Sequence, residues 1–153
     1  MEGRLMEGRT GDELESGRQP PNPLVPTKQR ILVADDDPDM RALVASALRR
    51  GGYDVVEACN GLEAIDHIAP TVWTKRNGFK AIVSDVCMPD LTGLDLLAAL
   101  RCSRFETPVI LMTAFGDEEV HAEARSLGAT AVFDKPFNLD ELHATLQKAM
   151  PSA

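Results

Sequence analysis

The sequence predicts a doubly wound α/β sandwich, in which one parallel five-stranded sheet is covered by helices on both faces. Five short apolar segments alternate along the chain with segments whose apolar residues recur at helical spacing. The strand segments are mostly continuous in apolar character, as expected for parallel strands that are buried on both faces and joined by right-handed crossovers. At 153 residues, the chain suits a single compact domain of three layers.

The five predicted strands are short and lie in the order expected of βα units. They cover residues 31–34, 53–58, 79–84, 109–112 and 129–133. The third strand is apolar apart from Lys80, and Pro108 introduces the fourth. A helical segment follows each strand, so we expect five helices.

The first two predicted helices begin at capping signals. Asp37 precedes a proline at the first helical position, and Gly51 ends this helix. Asn60 and Glu63 have the spacing of a capping box at the start of the second helix. We expect Pro70 to end that helix, because a proline cannot donate the backbone hydrogen bond of a helix interior.

The remaining three helices have signals of the same kind. The third follows Thr92, and the fourth begins at Asp117 and is closed by Gly128. Asn138 and Glu141 open the fifth helix.

The N-terminal segment differs in composition from the rest of the chain. Residues 1–28 are polar and contain four prolines, so they cannot bury enough apolar surface to offset the entropy of ordering. We expect a disordered tail there, a folded domain at residues 29–150 and a short tail at residues 151–153.

Charge and cysteine content exclude several classes of function. The net charge is −8, and residues 1–30 contain five acids and five bases, so the excess negative charge lies on the folded domain. This distribution argues against direct binding of a nucleic-acid backbone and favours a cation site. The three cysteines, Cys59, Cys87 and Cys102, have no C-x-x-C spacing and indicate neither a disulfide framework nor a zinc site. Without a long apolar run or a secretory signal, we expect a cytoplasmic protein with no membrane insertion.

Residues with reactive or charged side chains follow four of the five predicted strands. Asp35 and Asp36 follow the first strand, Asp85 the third, Thr113 the fourth and Lys135 the fifth. In open parallel sheets, ligands bind in the crevice beyond the carboxyl ends of the strands. We therefore expect these five side chains to meet in one crevice.

The chemistry of this set indicates phosphoryl transfer. Three crowded carboxylates repel one another and need a cation, and a site made of oxygen ligands with room for water favours Mg²⁺. A carboxylate beside the metal can attack phosphorus, while the ammonium of Lys135 and the hydroxyl of Thr113 stabilise the phosphoryl oxygens.

Four stretches of the sequence resemble the receiver domains of two-component signalling, and in particular the nitrogen-regulator and chemotaxis types. They are Ile-Leu-Val-Ala-Asp-Asp-Asp-Pro at 31–38, Ser-Asp-Val-Cys-Met-Pro-Asp-Leu-Thr-Gly at 84–93, Pro-Val-Ile-Leu-Met-Thr-Ala at 108–114 and Phe-Asp-Lys-Pro-Phe at 133–137. The resemblance covers roughly residues 30–150. It implies a flavodoxin-like sheet with the strand order 2-1-3-4-5.

The resemblance also implies a role for each site residue. Asp85 would be the phosphoacceptor and Asp36 a direct Mg²⁺ ligand, with Asp35 holding metal-bound water and the backbone carbonyl of Cys87 completing the ligands. Thr113 and Lys135 would bind the phosphoryl oxygens.

Two further features follow from the same resemblance. Ala114 would leave access to the site, and the peptide bond before Pro136 would be cis.

The resemblance also implies partners. The phosphoryl donor would be a phosphohistidine on a sensor histidine kinase or a histidine phosphotransfer protein. Phosphorylation would then change the face built from the fourth helix, the fifth strand and the fifth helix, which would bind an output partner or a second copy. Such a domain is a signalling module and has only self-phosphorylation and self-dephosphorylation chemistry.

The sequence has three kinds of departure from the family pattern or variable feature within it. Val132 stands where receivers usually have a tyrosine or phenylalanine, and the adjacent Phe133 should face the other side of the sheet, in the core. Cys87 and Phe115 lie two residues beyond the phosphoacceptor and the threonine, and neither readily orients a water, which predicts a long-lived phosphorylated form. The link at residues 70–78 is about six residues longer than usual; its Trp73 could contact a partner, but we expect a lid over the core.

Two other functions fit part of the pattern. Asp35 and Asp37 have the D-x-D spacing of haloacid-dehalogenase-like Mg²⁺-dependent phosphohydrolases, although Pro38 follows where those enzymes usually have Gly-Thr, and Asp85 precedes the lysine. A flavodoxin-like cofactor binder would need a phosphate-binding loop rich in Gly, Ser and Thr after the first strand, which the sequence lacks.

Overall fold

A computed structural model describes residues 28–74, 78–114 and 118–150 of the chain. Its strands are β1 (Arg30–Ala34), β2 (Asp54–Ala58), β3 (Ala81–Asp85), β4 (Val109–Thr113) and β5 (Ala131–Asp134). Its helices are α1 (Pro38–Arg50), α2 (Gly61–Thr74), α3 (Gly93–Cys102), α4 (Glu118–Ser126) and α5 (Leu139–Ala149). Strands and helices alternate throughout, as the sequence predicts.

All five strands are parallel and lie in the order β2-β1-β3-β4-β5. The predicted doubly wound three-layer sandwich is therefore confirmed. The chain adds β2 on one side of β1 and then β3, β4 and β5 on the other side. At such a reversal, a crevice opens at the carboxyl ends of the two neighbouring strands, here β1 and β3.

Two apolar clusters lie on the two faces of the sheet. On one face, α2, α3 and α4 pack against side chains such as Leu32, Ile82 and Leu111. On the other face, α1 and α5 pack against a second cluster that includes Val33 and Ile110. Both faces of the central strands are thus buried, which explains why their sequences are almost continuously apolar.

Helix α1 begins and ends where its sequence signals place it. The side chain of Asp37 accepts a hydrogen bond from the Asp39 N–H at 3.0 Å, and Pro38 occupies the first helical position. The N–H of Gly51 donates to the Ala47 carbonyl and closes the helix. Asn138 caps α5 in the same way, through the N–H of Asp140 at 2.7 Å.

The prediction that Pro70 ends the second helix is wrong, because α2 continues to Thr74. The proline removes one backbone donor, but Ala64 and Ile68 anchor the helix in the core. Two threonine hydroxyls add hydrogen bonds around the proline: Thr71 donates to the Ile68 carbonyl at 2.7 Å and Thr74 donates to the Pro70 carbonyl at 3.0 Å. The first part of the supposed link is therefore helical.

Several predictions fall outside the described residues and stay predictions. These concern the N-terminal tail up to residue 27, the C-terminal tail at 151–153, Phe115, Asp117, the residues 75–77 and the side chain of Trp73. Among the described residues, no helix is both long enough and apolar enough to cross a membrane.

Candidate functional site

The strand register brings the predicted site residues to one edge of the sheet. Ala34 of β1 lies opposite Ser84 of β3, so Asp35 and Asp85 are the next residues along two neighbouring strands. On the other side of β3, the N–H of Lys135 donates to the Thr113 carbonyl at 2.7 Å. Side chains that are far apart in sequence are therefore neighbours because their strands end together.

Three carboxylates form the centre of the site. One carboxylate oxygen each from Asp35, Asp36 and Asp85 lies within 4.8 Å of the others. Asp35 is fully buried and Asp85 is 6% exposed, whereas Asp36 is exposed. Among the described residues, this is the group of acidic side chains that could hold a metal ion.

Lys135 joins two of these carboxylates. Its Nζ lies 3.0 Å from Asp85 Oδ1 and 3.2 Å from Asp35 Oδ2. Burial alone would lower the pKa of Lys135, but the hydrogen bonds and charges of Asp85 and Asp35 outweigh burial and raise this pKa. The lysine is therefore held as a cation in the crevice.

Asp85 lies in an environment that disfavours its charge. Burial raises the pKa of Asp85, Lys135 lowers it, and the charges of Asp35 and Asp36 raise it further, with a net upward shift. One ammonium group thus offsets only part of the negative charge, and a second cation beside Asp85 would be stabilised.

Backbone contacts after β3 fix the position of Asp85. The N–H of Gly93 donates to the Val86 carbonyl at 2.9 Å, and the N–H of Val86 donates to the Met112 carbonyl at 2.8 Å. A Cβ at Gly93 would overlap the backbone carbonyl of Asp85, so this close approach requires glycine. The Thr92 and Asp95 capping box then starts α3 directly beside the site.

Two supporting residues were not predicted from the sequence. The buried hydroxyl of Ser84 donates to the Asp85 carbonyl at 3.0 Å. On α1, Arg41 donates through Nη1 to the Asp35 carbonyl at 2.7 Å, and its Nε lies 3.3 Å from Glu57 Oε1 on β2. Arg41 is one of several polar residues on an amphipathic helix, so only its place beside the strand ends could have drawn attention to it.

Asp37 is a capping residue and does not belong to the carboxylate group. Its side chain accepts from Asp39, and its own N–H donates to Asp35 Oδ1 at 3.0 Å. The partner of Asp35 in the carboxylate group is therefore Asp36 and not Asp37. This arrangement disfavours the D-x-D phosphohydrolase alternative, which needs both Asp35 and Asp37 in the site.

The remaining predicted site residues lie around this centre. Thr113 is nearly buried at the end of β4, whereas Ala114 and Cys87 are exposed on the two loops beside the crevice. The peptide bond between Lys135 and Pro136 is cis, as predicted. The proposed roles of Ala114 and of the Cys87 carbonyl stay predictions.

A protein-family model described as the response regulator receiver domain matches residues 31–147 of the chain. The chain belongs to this receiver family.

Comparison with individual proteins agrees with this assignment. Sporulation initiation phosphotransferase F of Bacillus subtilis is 31% identical to this receiver over 123 residues, which are 80% of this chain and 94% of that protein. The transcriptional regulatory protein TcrA of Mycobacterium tuberculosis is 37% identical over 118 residues, which are 77% of this chain but only 44% of the regulator. The structure of the chemotaxis response regulator CheY4 of Vibrio cholerae has a TM-score of 0.68 and 32% identity, and the match covers 81% of this chain and 100% of that chain.

Val132, which departs from the receiver pattern, and the adjacent Phe133 lie on opposite faces of the sheet. Val132 packs against the cluster under α2, α3 and α4, whereas Phe133 is partly buried against the other cluster. The ring of Phe133 lies 5.5 Å from that of Phe137, measured between centroids. As predicted, Phe133 does not replace the aromatic residue that Val132 lacks.

A polar contact between α4 and β5 was also missed by sequence reasoning. His121 Nε2 lies 2.8 Å from Asp134 Oδ1, and Glu118 and Arg125 line the same hollow. Asp134 is the last residue of β5 and immediately precedes Lys135, so this contact connects α4 to the end of the strand that the site lysine follows. The spacing of the two residues in sequence gave no signal for it.

Proposed function

We propose that this receiver accepts a phosphoryl group on Asp85 from a phosphohistidine of a sensor histidine kinase or a histidine phosphotransfer protein, in a reaction that depends on Mg²⁺. The observation that carries the proposal is the position of Lys135 Nζ. It contacts Asp35 and Asp85, which together with Asp36 form the group of three carboxylates within 4.8 Å of one another. The name of the Bacillus subtilis relative, a phosphotransferase, is in accord with it.

The donor set fits Mg²⁺. The group contains only carboxylate oxygens, which are hard ligands, and exposed Asp36 leaves one side open to water. Asp36 and Asp85 would bind the ion directly, Asp35 would hold a metal-bound water, and the Cys87 carbonyl would complete the protein ligands. When bound, Mg²⁺ would neutralise part of the charge on the phosphoryl oxygens.

The side chains of the site have complementary roles in the transfer. A carboxylate oxygen of Asp85 attacks phosphorus, an O–P bond forms, the N–P bond of the phosphohistidine breaks, and its electron pair returns to the imidazole nitrogen. Lys135 exchanges its bond to Asp85 for one to a phosphoryl oxygen, and the Thr113 hydroxyl donates to another. Ala114, with its small side chain, leaves the approach to Asp85 open.

The signal would leave the site through the face formed by α4, β5 and α5. Phosphorylation would draw Thr113 toward Asp85 and shift the population of this face toward a second state. An output partner or a second copy of the receiver would bind that state.

We infer that the protein works in the cytoplasm. We also infer that the only reactions it catalyses are its own phosphorylation and dephosphorylation.

Small phosphodonors test the proposal without a known kinase. Acetyl phosphate with Mg²⁺ should give the wild-type protein the labile mass gain of one phosphoryl group, and beryllofluoride with Mg²⁺ should shift NMR signals around Thr113 and β5. The Asp85→Asn variant should show neither effect. The matched control is Asp66→Asn, the same change at an exposed position of α2, which should behave as wild type. A labile mass gain that persists in Asp85→Asn would refute the assignment of the phosphoacceptor.

A further inference from the structure

An apolar groove lies between α2 and α3 at the amino edge of the sheet, opposite the proposed phosphorylation site. Ile68, Phe79 and Leu100 form its buried floor, and Val72 and Phe105 form its walls. Its volume is about 370 Å³, within the range of roughly 300–1,000 Å³ typical of sites that hold small molecules. It therefore has room for more than one aliphatic side chain.

The groove continues along the two helices. A second hollow of about 130 Å³ shares Ile68, Val72, Leu100 and Phe105 with the first. Val72 is 42% exposed although it is large and aliphatic. The two hollows thus form one continuous apolar surface between the helices, which a short segment of chain could fill.

The start of β1 lies at the rim of this groove. The guanidinium carbon of Arg30 is 4.7 Å from the centroid of the Phe79 ring, and the N–H of Lys80 donates to the Arg30 carbonyl at 2.8 Å. Leu24 and Val25 precede Arg30 by six and five residues. An extended chain covers about 3.3 Å per residue, so both can reach roughly 15–20 Å from this point. That distance exceeds the diameter of one helix, about 10–12 Å.

The segment at residues 20–26 has the chemistry to fill such a groove. Its sequence is Pro-Pro-Asn-Pro-Leu-Val-Pro. Prolines restrict the backbone to the polyproline II region before binding, so little further entropy is lost, and they carry no N–H that would need a partner. Segments of this kind dock in grooves lined by aromatic and aliphatic side chains. Ser103, Arg104 and Thr107 line the groove and offer donors to the carbonyl groups of the segment.

We propose that residues 20–26 of the same chain occupy the groove between α2 and α3, with Leu24 and Val25 packed against Val72 and Phe105. The groove is an intramolecular docking site for this segment, and docking would order residues 20–26 within the tail that composition alone predicts to be disordered. This inference does not depend on phosphoryl transfer at Asp85, since the two sites lie at opposite edges of the sheet.

Variants of the full-length chain test the docking by NMR. Replacing both Leu24 and Val25 by aspartate should shift the amide signals of Ile68, Val72 and Phe105. Replacing both Leu5 and Met6 by aspartate adds the same two charges much farther from β1 in sequence and should leave these signals in place. The emission of Trp73, the single tryptophan of the chain, gives a second readout on α2. In a Val72→Asp background, the Leu24 and Val25 substitutions should cause no further shift, because the groove is already blocked.

Two results would overturn the inference. One is a spectrum in which the groove signals of the Leu24 and Val25 variant match those of the wild-type protein. The other is a set of shifts that fade on dilution, since a second copy of the chain and not the same chain would then supply the segment. In each spectrum, the dispersion of the amide signals far from the groove shows whether the variant is folded, so loss of folding is not confused with either result.

Discussion

Cys87 is an exposed residue two positions beyond the proposed phosphoacceptor. Its side chain cannot readily orient a water for attack on the acyl phosphate, so we predict a long-lived phosphorylated form. The Cys87→Asn variant, whose amide can hold a water, should lose its phosphoryl group about tenfold faster, less than the roughly 10²–10⁴-fold of a full general base. The measurement is the decay of the phosphoryl mass gain with Mg²⁺ after removal of acetyl phosphate. Cys102→Asn, at another exposed cysteine, is the matched control. A wild-type half-life of seconds would contradict the prediction.

Lys135 has two opposed effects on the site, because it stabilises the carboxylates and repels a metal ion. The Lys135→Met variant should bind Mg²⁺ at least about tenfold more tightly, since even two unit charges about 4 Å apart repel by roughly 4 kcal/mol at an effective dielectric constant of about 20. The same variant should accept a phosphoryl group more slowly, because it lacks the donor to the phosphoryl oxygens. Calorimetric Mg²⁺ titration and the rate of mass gain measure the two effects, with exposed Lys148→Met as the control. Weaker Mg²⁺ binding would mean that Lys135 mainly organises the carboxylates.

At the scale of single elements, α4 is fastened to the sheet by few contacts. Ala124 is the one buried residue of this helix. The His121–Asp134 contact at 2.8 Å joins the helix to β5. Because both side chains are partly exposed, we expect a coupling free energy of about 0.2–1 kcal/mol. A double-mutant cycle of His121→Ala and Asp134→Ala, read by denaturant unfolding, measures it. Strictly additive effects of the two substitutions would show that the contact does not hold the helix.

Element boundaries were predictable where a capping residue marks them and unreliable where packing decides. Asp37, Thr92 and Asn138 begin their helices as expected, because each side chain satisfies a backbone donor locally. Pro70 misled the prediction, since its local effect is outweighed by burial of the apolar face of α2. The contact of Arg41 with Glu57 joins a helix to a strand that follows it. No rule of local spacing could have predicted that pair.

At the scale of the whole molecule, the site joins residues 100 positions apart, Asp35 and Lys135. This juxtaposition could be predicted because parallel strands end at one edge, and the strand order follows the family. The hydrogen bond from the Ser84 hydroxyl to the Asp85 carbonyl could not be predicted, since no pattern in the sequence marks it. Thus the side chains that meet in the site could be named from the sequence, while the hydrogen bonds that position them required the fold.

The proposed metal site should link the stability of the entire domain to Mg²⁺. A ligand that binds only the folded state stabilises it by about 2.7 kcal/mol at a concentration 100 times its dissociation constant. We therefore expect the melting temperature of the wild-type protein to rise by several degrees with saturating Mg²⁺. The Asp36→Asn variant should lose most of this increase, whereas the Asp66→Asn control should keep it. Equal melting curves with and without Mg²⁺ for the wild-type protein would refute the linkage.

The contact of Gly93 with the Asp85 carbonyl limits how the sequence at this turn can diverge. Even the methyl group of alanine would overlap the Asp85 carbonyl and force the backbone there to shift, although it changes no charge and removes no reactive group. In a saturation library selected for signalling, position 93 should accept glycine alone, as strictly as position 85 accepts aspartate. A residue with no side chain is thereby as constrained as the proposed nucleophile.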